Sequence, residues 1–95
     1  MIDVKHSILF DYYGELLTDK QQEFFKDYYF DNLTLQEIAE NNDISRNAVH
    51  KTLNTIIDKL EYYEKVLKLY DKSEKIKKII VNLDEDTKSK INELI

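Results

Sequence analysis

The near absence of glycine and proline restricts the fold of this chain more than any other feature. Its 95 residues contain no proline and a single glycine, Gly14. Both residue types mark the turns between strands, and both interrupt helices, so a chain almost free of them favours long helices over a sheet. Hydrophobic residues make up 42% of the chain, which is typical of globular rather than disordered proteins. We therefore predict one all-α domain over residues 1–95, built from five or six helices.

The first segment has a helical pattern from Asp3 to Tyr13, and Gly14 is expected to end that helix. Its predicted apolar stripe consists of Val4, Ile8 and Tyr12. Thr18 and Gln21 then have the spacing of a capping box, which indicates the start of a second helix. The apolar stripe of that helix is aromatic and consists of Phe24, Phe25, Tyr28 and Tyr29.

Residues 34–60 have the pattern of a helix-turn-helix. Thr34 and Glu37 form a second capping box, and this short helix is expected to end at 41–43. Ala39 supplies the small residue that a closely crossing second helix requires. Ser45 is the predicted N-cap of that second helix. The apolar residues expected to flank the turn and point into the core are Ile38, Ile44 and Val49.

The outer face of the second motif helix carries polar side chains at positions i, i+1, i+4, i+5 and i+8. They are Arg46, Asn47, His50, Lys51 and Asn54. Arginine can pair with guanine and asparagine with adenine, while lysine and histidine can contact phosphates. We therefore predict these five residues as a nucleic-acid-binding face; a solvated polar face on a structural helix is the alternative.

The charge of the chain weakens this prediction. The chain has 19 acidic and 14 basic residues, a net charge of −5. Residues 1–44 carry 10 acidic and 3 basic residues, and residues 45–95 carry 9 acidic and 11 basic residues. Because a phosphate backbone attracts basic surfaces, the first half of the chain would have to face away from DNA. An acidic first half would instead suit a basic protein partner.

An apolar seam with heptad spacing predicts that the fourth helix continues well beyond the motif. The seam consists of Val49, Leu53, Ile56, Leu60, Tyr63, Leu67 and Tyr70. We expect shorter C-terminal helices to pack on it, so that the helix-turn-helix core covers about 18–60 and a C-terminal extension covers 61–95. A homodimer is also predicted, and its interface would contain Leu60, Tyr63, Val66, Leu67 and Tyr70. The alternative is a monomer in which the C-terminal helices cover the seam completely.

Other classes of function have little support. No Ser-His-Asp order, glycine-rich loop or metal-like histidine spacing is present, so we expect no enzyme activity, no catalytic residue, no metal and no cofactor. No apolar run approaches the roughly 20 residues of a membrane span, and the N-terminus lacks a signal-peptide pattern. Because cysteine is absent as well, we expect a cytoplasmic protein without membrane insertion.

Five segments together resemble the YlxM family, small bacterial helix-turn-helix proteins associated with the signal recognition particle operon. They are "LFDYYGELLTDKQQ" (9–22), "YY" (28–29), "LQEIAE" (35–40), "DISRNAV" (43–49) and "LEYYEKVLKLYDK" (60–72). Residues 17–60 are also similar to the fourth region of bacterial sigma factors, which contacts promoter DNA. Members of the family usually carry an apolar residue in place of Asn42, glutamine in place of Asn47 and tyrosine in place of His50.

The resemblance implies an all-helical fold and a regulatory role in or near the signal recognition particle pathway. DNA is the partner that we expect first. The alternative is a protein-interaction module of the same fold that contacts the signal recognition particle protein or its receptor. Binding of the particle's RNA ranks last, because no segment of the chain resembles an RNA-binding module.

Overall fold

The structure, a computed structural model, describes residues 4–95, and all its regular elements are helices. In chain order they are α1 (Val4–Tyr13), a 3₁₀ turn (Gly14–Leu16), α2 (Asp19–Tyr29), α3 (Leu35–Asn42), α4 (Arg46–Leu67), α5 (Leu69–Ile79) and α6 (Glu85–Asn92). The predicted all-α fold with a long fourth helix is confirmed. Asp3, the expected first residue of α1, lies outside the described residues.

The predicted helix starts are confirmed by their hydrogen bonds. In α2, the Thr18 hydroxyl accepts the backbone N–H of Gln21 at 3.1 Å, and the Gln21 side chain accepts the backbone N–H of Thr18 at 3.0 Å. Thr34 and Glu37 form the same reciprocal pair at the start of α3. These bonds satisfy N–H groups that a helix start otherwise leaves without partners, so the sequence fixes the first residue of each helix locally.

The predicted buried face of α1 is wrong at Val4, and its other two residues, Ile8 and Tyr12, are only partly buried. Val4 is 70% exposed, whereas Leu9 and Tyr13 are the buried residues of this helix. Gly14 ends α1 as predicted, and its φ angle is not positive. A Cβ atom on Gly14 would lie only 3.0–3.1 Å from the ring of Phe10, so a larger residue here would have to displace that ring by a few tenths of an ångström.

The core lies around the first two thirds of α4, on which α1, α2 and α3 all pack. Its buried members are Leu9, Tyr13, Leu17, Phe24, Phe25, Tyr29, Ile38, Ala39, Val49, Leu53, Ile56 and Leu60. The Phe25 ring stacks between the rings of Phe10 and Tyr29, each at a centroid distance of 4.3 Å. Of the predicted aromatic stripe of α2, Phe24, Phe25 and Tyr29 are core, and Tyr28 is partly buried against it.

The fourth helix ends earlier than the heptad seam predicts. Lys68 adopts left-handed backbone angles (φ 55°, ψ 32°), and α5 starts immediately afterwards, so Tyr70 belongs to α5 rather than α4. The cause is the Glu64 carboxylate, which accepts the backbone N–H groups of Tyr70 (3.1 Å) and Asp71 (3.0 Å). We call this break with its hydrogen bonds the Lys68 elbow.

The C-terminal extension, residues 61–95, gives the molecule an elongated shape. The described residues measure 53 × 25 × 21 Å, and their radius of gyration is 16.6 Å. A compact domain of this size would have a radius of about 12 Å. Helix α5 packs on α1 and α4, whereas α6 has no buried residue and is held at its start by Asp84, which accepts the Thr87 N–H at 2.8 Å. That bond, followed by the Thr87 hydroxyl, lowers the pKa of Asp84.

Candidate nucleic-acid interface

The connection between α3 and α4 has the geometry of a helix-turn-helix. Helix α3 ends at Asp43, whose backbone is left-handed (φ 54°, ψ 45°). The next N–H, from Ile44, reaches back five residues to the carbonyl of Ala39 at 3.0 Å, as in a Schellman turn. Ser45 then caps α4, because its hydroxyl accepts the N–H of Ala48 at 3.0 Å. The connection between the two helices therefore consists of three residues, 43–45.

The inner side of the motif is closely packed. Ile38, Ala39, Val49 and Leu53 are each exposed by 4% or less, which holds α3 against the start of α4. Ile44 was expected to point into the core, but it is 39% exposed. The left-handed residue before it turns the chain out of the core at this point.

Substitution of Ala39 tests this packing. Ala39→Leu should lower the free energy of unfolding by about 1–3 kcal/mol, because the added methylene groups have no space beneath the crossing helix. Urea unfolding followed by circular dichroism measures the change. Ala48→Leu, at a half-buried position on α4, is the matched control and should lower the free energy of unfolding less than Ala39→Leu does. An unchanged unfolding midpoint for Ala39→Leu would show that the two helices do not cross at this residue.

The first turns of α4 present the predicted face to solvent, and we call this part of α4 the recognition helix. Its five exposed members are Arg46, Asn47, His50, Lys51 and Asn54. Within residues 4–95, none of the five side chains forms a hydrogen bond or an ion pair. Two cationic groups, two amides and one imidazole are therefore available on the outer side of α4, and the inner side of the same helix is buried in the core.

The charges around this face are mixed. Of the three basic residues in the motif, Lys59 is directed away from the face, because its ammonium group donates to Gln21 at 3.4 Å. Glu37, Glu40 and Asp43 are exposed on the neighbouring α3 and turn. Arg46 and Lys51 are therefore the basic groups that the motif itself offers to a phosphate.

Asn42 is a residue that the sequence alone does not explain. Its amide donates to the carbonyl of Ile38 at 2.8 Å, within α3. The polar side chain is therefore satisfied within its own helix, by a carbonyl one turn earlier. A polar residue at this usually apolar position is compatible with the helix-turn-helix geometry.

A model of the UPF0122 family, described as "Putative helix-turn-helix protein, YlxM / p13 like", matches residues 3–95. The chain belongs to this family. Three UPF0122 proteins illustrate the similarity. The relative from Malacoplasma penetrans is 50% identical over 62 residues, which are 65% of this chain and 58% of the relative. The relative from Caldanaerobacter subterraneus subsp. tengcongensis is 44% identical over 79 residues, 83% of this chain and 68% of the relative. The relative from Fusobacterium nucleatum is 38% identical over 88 residues, 92% of this chain and 85% of the relative.

In this UPF0122 chain, the five residues predicted for a dimer interface have different surroundings. Leu60 is fully buried in the chain's own core, and Tyr63 and Tyr70 are half-buried against it. Val66 and Leu67 are exposed by 58% and 43%. The part of the predicted interface that a second copy could reach is therefore at the end of α4.

None of the helices in residues 4–95 combines the length and the apolar composition needed to cross a bilayer. Across the same residues, no group of three or more histidine, aspartate or glutamate side chains is arranged to hold a metal ion. A shallow cleft beside α2 is mainly acidic: it is lined by Asp19, Glu23, Asp27 and Asp31, together with Gln22 and Lys26. Burial, followed by the charges of Glu23 and Asp31, raises the pKa of Asp27.

Proposed function

We propose that this protein binds duplex DNA through the recognition helix and acts as a regulator. The observation that carries the proposal is the free polar face: five side chains of base- and phosphate-binding chemistry without partners in the described structure, on a helix whose other side is core. A helix of this kind fits the major groove, whose width admits an α-helix. Family membership supports the same proposal through the helix-turn-helix description.

Two alanine substitutions test this proposal. Lys51→Ala should weaken binding to all duplexes and reduce the dependence of log K on log salt by about one unit, because one phosphate contact is lost. Arg46→Ala should cost about 1–3 kcal/mol on the preferred sequence and relax preference at one base pair. The measurement is fluorescence anisotropy with duplexes selected from a random library, at about 50 mM salt, where phosphate contacts are strong.

Lys78→Ala is the matched control for these variants. Lys78 is exposed on α5, far along the chain from the recognition helix, and its removal changes the net charge by the same amount. If Lys78→Ala binds as the wild type does, the losses in the other two variants come from local contacts and not from the change in net charge. If the wild-type protein binds no duplex at low salt, the DNA proposal is wrong.

The acidic cleft on α2 favours a second candidate function, docking on a basic surface of another protein. In this candidate, the partner is the signal recognition particle protein or its receptor. Titration calorimetry with each purified protein tests it, and Glu23→Gln together with Asp31→Asn should weaken the complex. Binding to one of these proteins, together with no affinity for duplex DNA, would favour this function over the first.

We also propose that the protein forms a homodimer through the end of α4 and the start of α5. Within the described residues, the large apolar side chains that are exposed in the C-terminal extension are Tyr62, Val66, Leu67, Leu69, Ile79, Val81, Leu83 and Leu94. Residues 61–95 carry eight acidic and eight basic residues, so two copies of this region would not repel each other. A two-fold dimer would also present two recognition helices, as half-site binding requires.

Leu67→Glu should convert the dimer to monomers, because a carboxylate placed in an apolar contact would lose its hydration without gaining a partner. Light scattering at micromolar concentration should give about twice the 11.4 kDa of one chain for the wild type and 11.4 kDa for the variant. Leu16→Glu, which changes an exposed leucine outside the extension, should remain dimeric. A wild-type mass of 11.4 kDa would exclude the dimer.

A further inference from the structure

Two carboxylates continue the polar face of the recognition helix beyond its last predicted contact. Helix α4 runs without a break from Arg46 to Leu67, so the positions four and seven residues beyond Asn54 lie on the same side of the helix as Asn54. These positions carry Asp58 and Glu61, and both residues are exposed. We call this pair the acidic border. At 1.5 Å per residue, it lies about 6 to 10 Å beyond Asn54 along the helix axis.

The negative charge of the acidic border is open to solvent. Asp58 forms no ion pair within residues 4–95. Glu61 lies 3.0 Å from Nε2 of His6, which holds it in place, and its side chain is nevertheless 51% exposed. Lys65, four residues further along the same side of α4, is exposed and pairs with neither carboxylate among the described residues. A phosphate that approached this part of α4 would therefore meet two carboxylates first.

The dimensions of the major groove place the acidic border near phosphates. The recognition helix presents its five polar residues over positions 46–54, about 12 Å of helix, and the groove is about 12 Å wide. With these first turns of α4 in the groove, the acidic border lies at or beyond the edge of the groove, where the phosphates are. A displacement of α4 along its axis that brought Asp58 into the groove would place both carboxylates against phosphates of the same charge.

We propose that the acidic border fixes the position of α4 along its axis on DNA and thereby raises sequence specificity, an inference that rests on the DNA binding proposed for the recognition helix. A complex in which α4 is displaced loses the base contact of Arg46 and gains repulsion at Asp58 and Glu61. The complex on the preferred sequence avoids that repulsion. The two carboxylates thus act against displaced complexes, whereas the polar residues at 46–54 stabilise the correct one.

Asp58→Asn tests the proposal, because asparagine has nearly the same shape without the charge. The measurement is fluorescence anisotropy at about 50 mM salt, with the duplex selected from the random library and with an unrelated duplex of equal length. Affinity for the unrelated duplex should increase about threefold to tenfold, and affinity for the selected duplex should increase less, so the ratio of the two falls. The increase should diminish at about 200 mM salt, because salt screens exposed charges. Glu61→Gln, which keeps an oxygen for His6, should act in the same direction.

Glu93→Gln is the matched control, because Glu93 is exposed near the end of the chain and its replacement changes the net charge by the same amount. It should bind both duplexes as the wild type does. If the wild type binds DNA and Asp58→Asn binds the unrelated duplex no more tightly, the inference is overturned and the DNA-binding function stands. An equal gain in Glu93→Gln would also overturn the inference, since the cause would be net charge. If neither the wild type nor Asp58→Asn binds any duplex, the inference and the DNA-binding function are both wrong.

Discussion

Phe25→Ala is expected to lower the free energy of unfolding by about 3–5 kcal/mol, a large part of the stability of a domain of this size. Phe25 is fully buried, and its ring lies between the rings of Phe10 and Tyr29. Alanine would remove both stacking contacts and leave a cavity where α1 and α2 meet. Neither neighbour can fill the space easily, because Phe10 already lies against Gly14.

The measurement is urea unfolding at 25 °C, and Phe30→Ala is the control. Phe30 makes edge contacts with the rings of Phe10 and Phe25, at a centroid distance of 5.8 Å from each, but it is 47% exposed. Phe30→Ala should lower the free energy of unfolding clearly less than Phe25→Ala does. Equal losses for the two variants would show that the stack does not carry the stability of this part of the core.

Glu64→Ala should destabilise the protein by about 2–4 kcal/mol through loss of the Lys68 elbow. The Glu64 carboxylate accepts two backbone N–H groups at the start of α5 and the hydroxyl of Tyr13. That hydroxyl in turn accepts the N–H of Leu69 at 3.0 Å. Burial, followed by the hydrogen bond to Glu64, raises the pKa of Tyr13, so the hydroxyl stays protonated and able to donate. Alanine would leave these donors without their acceptor.

Amide hydrogen exchange identifies the cause of this loss. Exchange at Tyr70 and Asp71 should accelerate in Glu64→Ala more than exchange in α2, because these two amides donate directly to the removed carboxylate. Glu23→Ala, which removes one exposed ion pair with Lys20, should change the stability by less than about 1 kcal/mol. Unchanged protection at Tyr70 and Asp71 would show that α5 starts without help from Glu64.

The predictions from sequence succeed where the determining contacts are local. The capping boxes of α2 and α3 each involve residues three positions apart, so their donors and acceptors can be identified from the sequence. The exposed positions of Arg46 and Lys51 follow in the same way from helical spacing and from the burial of Val49. Their exposure is confirmed, and their binding to DNA remains a prediction.

The errors occur where contacts between distant residues decide the result. The apolar seam continues through Leu67 to Tyr70, but α4 breaks at Lys68, where Glu64 accepts the first N–H groups of α5. The hydroxyl of Tyr13, more than fifty residues earlier, completes this arrangement, because it donates to Glu64 and accepts the N–H of Leu69. The orientation of α1 likewise depends on distant residues, because α1 packs mainly on α4 with Leu9 and Tyr13 buried, while Phe10 stacks on a ring of α2. A single sequence contains no local pattern that reveals which distant residues will be in contact.

The Lys68 elbow also makes the C-terminal extension a lever arm. Helix α5 contains 11 residues, which corresponds to a length of about 16 Å, and a tilt of about 10° at its start would displace its far end by about 3 Å. A displacement of that size is comparable to the rise between adjacent base pairs. The hydrogen bonds of the Glu64 carboxylate and the Tyr13 hydroxyl therefore limit how far the angle between α4 and α5 can vary. A partner bound to the extension is positioned relative to the recognition helix only as accurately as these hydrogen bonds hold that angle.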